Sequence, residues 1–201
     1  MTRLPILMYH NISNIEQVSS GLTISVQKLE RQLCHLAESG FTTFHLSELE
    51  NLTAIPQQSI VITFDDVTDN QFLYAVPLLE KYNLKATFFI PFGYIGKTDL
   101  WNEGKETIMT MQKLQSLGTW IELGLHSYAH KKYETLTETQ INEDFEKCFK
   151  IIEENDLKVY KAVAYPYGNF PKKEPKKTLF KSVLEQNNIK MGLRIGNKIN
   201  K

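Results

Sequence analysis

"SIVITFDDVTDN", residues 59–70, is an apolar run that ends on two adjacent carboxylates, Asp65 and Asp66. Ile60, Val61, Ile62 and Phe64 read as a buried strand, and strands usually avoid aspartate. The chain holds only six aspartates, so two side by side at a strand end need a reason. Either the pair caps the turn that follows, or one carboxylate takes a proton while the other holds a metal.

Six further short β-like runs accompany this one: Leu4–Tyr9, Phe41–Leu46, Lys85–Pro91, Trp120–Leu125, Ala162–Tyr165 and Lys190–Leu193. Helical patterns fill most of the gaps. Val26, Leu29, Leu33 and Leu36 recur on one face after Ser25, a helix-capping residue, and Gly40 reads as the stop. Thr137 and Gln140 form a capping-box pattern ahead of Ile141, Phe145, Cys148 and Ile152. Pro77 inside the Leu73–Tyr82 pattern predicts a kink or a late helix start. Seven strands alternating with helices predict an α/β fold around a parallel sheet. The unusual polar residues His10, Asp65/Asp66, His126/His130 and Tyr167 each follow the C-terminal end of a strand. A (β/α) barrel brings those ends together on one face, so a barrel is the expected form.

The length of 201 residues suits one domain, read as residues 1–201. Lys+Arg and Asp+Glu balance at 23 each, and no polybasic face is evident, which argues against nucleic acid as the partner. The Lys172, Lys173, Lys176 and Lys177 cluster, beside Pro171 and Pro175, reads as a solvated loop. Cys34 and Cys148 lie in separate helical patterns and are read as free thiols. No apolar stretch reaches the roughly 18 residues of a membrane span. No signal peptide is seen in "MTRLPILMYH", so the chain as written reads as cytoplasmic, or extracytoplasmic if a leader has been removed.

Among five histidines, His35 and His45 have no polar company in sequence. His126 and His130 differ, because "LGLHSYAH" sets them four apart directly after an apolar strand. Alone, such a pair is a weak signal. Combined with an acid pair it forms a hydrolytic set: two imidazoles and one carboxylate hold a divalent metal with a position left open. A second carboxylate within reach then removes the proton of the attacking water.

"ITFDD", "HSYAH" and "YPYG", in this order and at these separations, resemble the polysaccharide deacetylases of carbohydrate esterase family 4, the NodB-homology domain. "LPILMYHNI", "LLEKYNLKATFFI" and "MQKLQSLGTWIELGLHSYAH" extend the likeness over nearly the whole chain. The resemblance implies a deformed (β/α)7 TIM-like barrel. It also implies a metal-dependent hydrolase that removes an N-acetyl group from an amino sugar in a polysaccharide or glycoconjugate. Residue by residue, Asp65 matches the catalytic base, Asp66, His126 and His130 match the metal ligands, and the Tyr167 backbone N–H matches an oxyanion donor. Zinc is the implied metal, with cobalt or nickel suited to the same ligands. Alternatives are an O-acetyl esterase or N-deformylase on a sugar or lipid-linked sugar, or a non-catalytic glycan-binding relative. The sequence is silent on oligomeric state.

The chain also departs from the family pattern. It has no histidine after His130 to serve as the acid that protonates the leaving amine, and Arg194 stands near that place. The branch resembling poly-N-acetylglucosamine deacetylases is circularly permuted and draws its acid from an N-terminal strand, which points to His10, expected to approach from across the barrel mouth. Val67 replaces a glycine after the acid pair, so that loop is expected to differ, since a β-branched residue resists a positive φ. Ala164 replaces the arginine that orients the base. The sequence stops soon after the seventh strand, so a C-terminal closing element is expected to be missing.

Overall fold

The computed structural model describes residues 4–15 and 19–196. Its framework is a seven-stranded parallel sheet. In chain order the strands are β1 (Ile6–Tyr9), the small additions β2 (Asn11–Ser13) and β3 (Thr23–Ser25), β4 (Thr42–Thr43), β5 (Ser59–Asp65), β6 (Ala86–Ile90), β7 (Ile121–Leu125), β8 (Val159–Ala164) and β9 (Met191–Leu193). β2 and β3 pair only with each other; the rest run β1-β5-β6-β7-β8-β9, with β4 also pairing to β5. All seven strand regions expected from the sequence lie in this sheet. It curls into the open, barrel-like form of the (β/α)7 type, with β1 and β9 at the two ends of the described strand order.

Alternation along each strand separates two cores. On β5, Ile60, Ile62 and Phe64 face the helices and join the large cluster that includes Leu29, Leu33, Leu79, Phe88, Phe145 and Val183. Val61 faces the lumen with Leu4, Leu46, Phe89, Ala162 and Ala164. Every residue of β5 is therefore buried, as expected for a central parallel strand covered on both faces. Small residues make room inside the curl: a Cβ on Gly124 would stand 2.7 Å from the Phe89 ring.

The helices follow their sequence signals. Helix α1 (Val26–Glu38) starts at Ser25, whose hydroxyl accepts from the Lys28 N–H, and Gly40 follows it with φ 74°. Pro77 sits in the first turn of α2 (Val76–Lys81), where its missing N–H costs nothing, and a π-helical turn, Gln71–Ala75, precedes it. The late start is thus the form the Pro77 signal takes. Helix α3 spans Met111–Gln115, and α4 (Glu138–Glu154) opens with the complete Thr137/Gln140 capping box. Helix α5 covers Lys176–Gln186. No helix among the described residues is long and apolar enough to cross a membrane. Cys34 and Cys148 are free.

Candidate functional site

All six residues singled out above come together at the C-terminal end of the sheet. β5 ends at Asp65, and the chain then turns through left-handed backbone at Asp66 (φ 75°) and Val67 (φ 43°). Val67 thus takes the positive φ that a β-branched residue resists, and its complete burial in the main core offsets the strain. The expectation that this loop would avoid the conformation is corrected on that ground. Ser127 (φ 65°), His130 (φ 50°) and Tyr167 (φ 59°) are left-handed too. Backbone strain of this kind gathers at functional sites, where packing over-determines it.

Three ligand-type atoms converge. Asp66 Oδ1 lies 3.4 Å from His126 Nε2 and 3.3 Å from His130 Nε2, and the two Nε2 atoms are 3.2 Å apart. Bond lengths of about 2.0–2.2 Å in a tetrahedral zinc site separate ligand atoms by roughly 3.3–3.6 Å, so the triangle is close to the dimensions of one tetrahedral face. His126 Nδ1 donates to the Ala164 carbonyl at 2.8 Å, which leaves its Nε2 lone pair directed at the other two atoms. Asp66 Oδ1 is buried without a hydrogen-bond partner. With lone pairs of both imidazoles turned inward, three electron-rich atoms so placed repel one another unless a cation or a shared proton lies between them. The residues fit a divalent metal.

The electrostatics agree. Burial lowers the His126 imidazole to about 3, against a partial offset from Asp66, so its neutral ligand form is the stable one near neutrality. Burial raises the Asp66 carboxyl, but the His130, His126 and His10 rings together outweigh that and hold it below its ordinary value. Asp65 is pushed well up, by burial first and then by the neighbouring Asp66 charge. His10 is pushed down by burial, against the attraction of Asp66.

His10 follows β1, and its Nε2 stands 3.6 Å from Asp65 Oδ2. The expectation that it reaches in from across the mouth is corrected: β1 pairs with β5, in register through Tyr9 and Phe64, so His10 and Asp65 are neighbours at adjacent strand ends. Ala164 leaves room rather than a guanidinium beside Asp65. A cavity of ≈ 530 Å³ opens between β1 and β9, lined by Met8, Thr63, Asp65, Ala164, Leu193 and Arg194 among others.

One contributor escaped sequence reasoning. Asp144 of α4 is buried and accepts from the Tyr128 N–H (2.8 Å) and the Ala129 N–H (3.0 Å), pinning the loop that carries His126 and His130. A carboxylate within the apolar stripe of Ile141, Phe145 and Cys148 was the available signal. Trp101 stacks on the His130 ring with centroids 3.8 Å apart, and Tyr94 meets Trp101 edge-on at 4.8 Å. Tyr167 covers another side of His130, edge-on at 4.9 Å, while remaining half exposed.

The family model described as polysaccharide deacetylase matches residues 53–185. The chain belongs to the polysaccharide deacetylase family. The matched span of this deacetylase-family chain contains Asp65, Asp66, His126, His130 and Tyr167, whereas His10 lies before it. A poly-beta-1,6-N-acetyl-D-glucosamine N-deacetylase of Staphylococcus aureus is 30% identical over 121 residues, which is 56% of this chain and 41% of the relative. The match thus spans about two-fifths of that protein's length. Among solved structures, IcaB from Ammonifex degensii superimposes with a TM-score of 0.81 at 23% identity, covering 100% of this chain and 87% of that one. The Streptococcus pyogenes deacetylase PplD, in complex with acetate, gives 0.78 at 22% identity, covering 98% and 86%. These likenesses establish the carbohydrate esterase family 4 type of (β/α)7 fold for this chain.

Proposed function

We propose that this deacetylase-family chain is a metal-dependent hydrolase that removes an N-acetyl group from an amino sugar of a polysaccharide or glycoconjugate. The observation that carries the reading is the triangle of Asp66 Oδ1, His126 Nε2 and His130 Nε2, with a carboxylate and an imidazole beside it. Asp66, His126 and His130 would hold the metal, and zinc suits the two-imidazole, one-carboxylate donor set. When bound, such a metal polarises the amide carbonyl and lowers the pKa of water.

The protein's own groups then divide the proton transfers. Asp65 accepts the proton of the attacking water, and burial makes its carboxylate a stronger base than an exposed one. His10 donates to the departing amine. Burial favours neutral forms of both groups, and neutral Asp65 with neutral His10 carries the same proton count as the carboxylate–imidazolium pair. The N–H of Tyr167, on a left-handed turn beside His130, is assigned to the developing oxyanion.

An amine leaving group needs protonation more than an alcohol does, so a buried imidazole next to the base favours the N-acetyl reading over the O-acetyl one. The test is acetate release from N-acetylated and O-acetylated oligosaccharides by metal-stripped and zinc-reconstituted protein. Zinc-dependent release from N-acetylated substrates supports the proposal. Release unaffected by stripping, or confined to O-acetyl groups, contradicts it.

A further inference from the structure

We propose that Gln71 is a positioning residue that sets the spacing of His10 and Asp65. The inference rests on the assignment of that pair as acid and base. The β1–β5 ladder ends at Tyr9 and Phe64, so His10 and Asp65 are the first residues past its last aligned pair. Each must place a backbone carbonyl where regular pairing has stopped, and a buried carbonyl needs a donor. Gln71 supplies both: its side-chain nitrogen lies 2.9 Å from the His10 carbonyl oxygen and 2.6 Å from that of Asp65. An NH2 group has two hydrogens, one for each carbonyl. The opposite amide orientation would aim an oxygen at two oxygens, so these contacts decide which end points inward.

Three observations separate this clip from ordinary packing. Gln71 is fully buried, yet its Oε1 has no partner. Burying an unpaired acceptor is unfavourable, and an apolar side chain of similar length would avoid it. Second, Gln71 opens the π-helical turn Gln71–Ala75, a rare geometry that is frequent at functional sites. Third, the preceding residue grips the chain just after His10: Asn70 Oδ1 accepts from the Ile12 N–H at 3.0 Å. Residues 70 and 71 thus hold the segment that leaves His10 and tie it to the strand that carries Asp65. The 3.6 Å between His10 Nε2 and Asp65 Oδ2 is a consequence of this frame.

The test substitutes Gln71→Met, which keeps length and removes both donors, in the full zinc-loaded chain, with and without His10→Ala. Misplacing a reacting group by about 1 Å costs on the order of 100-fold, so kcat for an N-acetylated oligosaccharide should fall roughly 10- to 100-fold while KM and zinc content hold. Hydrolysis of an activated ester, which needs no acid, should fall much less. In the His10→Ala background the loss caused by Gln71→Met on the amide should shrink, because one of the two groups whose spacing it sets is gone. Hydrogen exchange at residues 8–12 and 63–67 should quicken. If Gln71→Met fails to fold, Gln71→Glu, which keeps the shape and replaces the donor by oxygen, carries the same comparison. Wild-type amide turnover in a folded Gln71 variant, or an equal loss in both backgrounds, overturns the inference. Wild-type amide turnover in His10→Ala alone identifies instead a failure of the acid assignment, and the inference falls with it.

Discussion

Removing the Asp144 carboxylate should loosen the metal-site loop from behind. Its two oxygens take the Tyr128 and Ala129 N–H groups at 2.8 and 3.0 Å, between the two histidines of the site. Hydrogen bonds to a charged group contribute roughly 1.5–3 kcal/mol each, so two set an upper limit of about 6 kcal/mol. Part of that is recovered because burial already penalises the charge: the Asp144 carboxyl is raised by desolvation, against the pull of its two N–H donors. We expect Asp144→Ala to cost about 2–4 kcal/mol, and a chain of this size loses roughly 2–4 °C of Tm per kcal/mol. Asp144→Asn retains one acceptor and should fall between wild type and Ala. Because the loop orients His130 and supports His126, zinc affinity should drop about 10- to 100-fold, the range seen when an outer partner of a metal ligand is lost. Calorimetry of the metal-free protein and competitive zinc titration read the two effects separately. A destabilised Asp144→Ala variant with undiminished zinc affinity would refute the claim that this carboxylate shapes the site.

Further predictions concern the reacting groups. His10→Ala should lower amide cleavage by roughly 10²–10⁴-fold, leave zinc bound and spare activated-ester hydrolysis; equal losses on both substrates would remove the acid role. Asp65→Asn should keep zinc and lose turnover, whereas Asp66→Asn should lose zinc affinity; identical metal loss in both would contradict their separate assignments. The pH dependence of stability follows from His126, whose folded value of about 3 lies below its ordinary 6.5. Between those values the unfolded chain binds more protons, so the contribution is present above 6.5 and declines as pH falls toward 3. Asp65 and Asp144, both raised, act with opposite sign, so the clean quantity is a difference between variants. The unfolding free energy of metal-free wild type minus that of His126→Asn should decrease by on the order of 3 kcal/mol from pH 6.5 to about pH 4. A difference that stays flat over that interval would place the imidazole in a solvated setting.

What sequence could show was local. The β5 run, the caps at Ser25 and Thr137 and the Pro77 start are signals carried by residues within a few positions of one another, and each matches its element. The acid pair and the two histidines stood out because their residue types are poorly suited to strand ends without a task. What escaped depended on contacts between distant segments. The place of His10 depends on β1 pairing with β5, and strand order is not written into alternation. Gln71 reaches a carbonyl 61 residues away, and Asp144 reaches back 16 to the histidine loop. Both are polar residues in buried positions, the kind of local inconsistency that marks a site before its partners are known. Val67 shows the converse: its conformational preference was read correctly in isolation, and tertiary packing overrode it.

The central claim is that Asp66, His126 and His130 form one metal site, and metal content tests it most directly. Wild-type protein stripped, incubated with zinc and desalted should retain one zinc per chain, and His126→Ala treated identically should retain none at stoichiometric level. Undiminished zinc in His126→Ala, or no zinc in the wild type, would contradict the account.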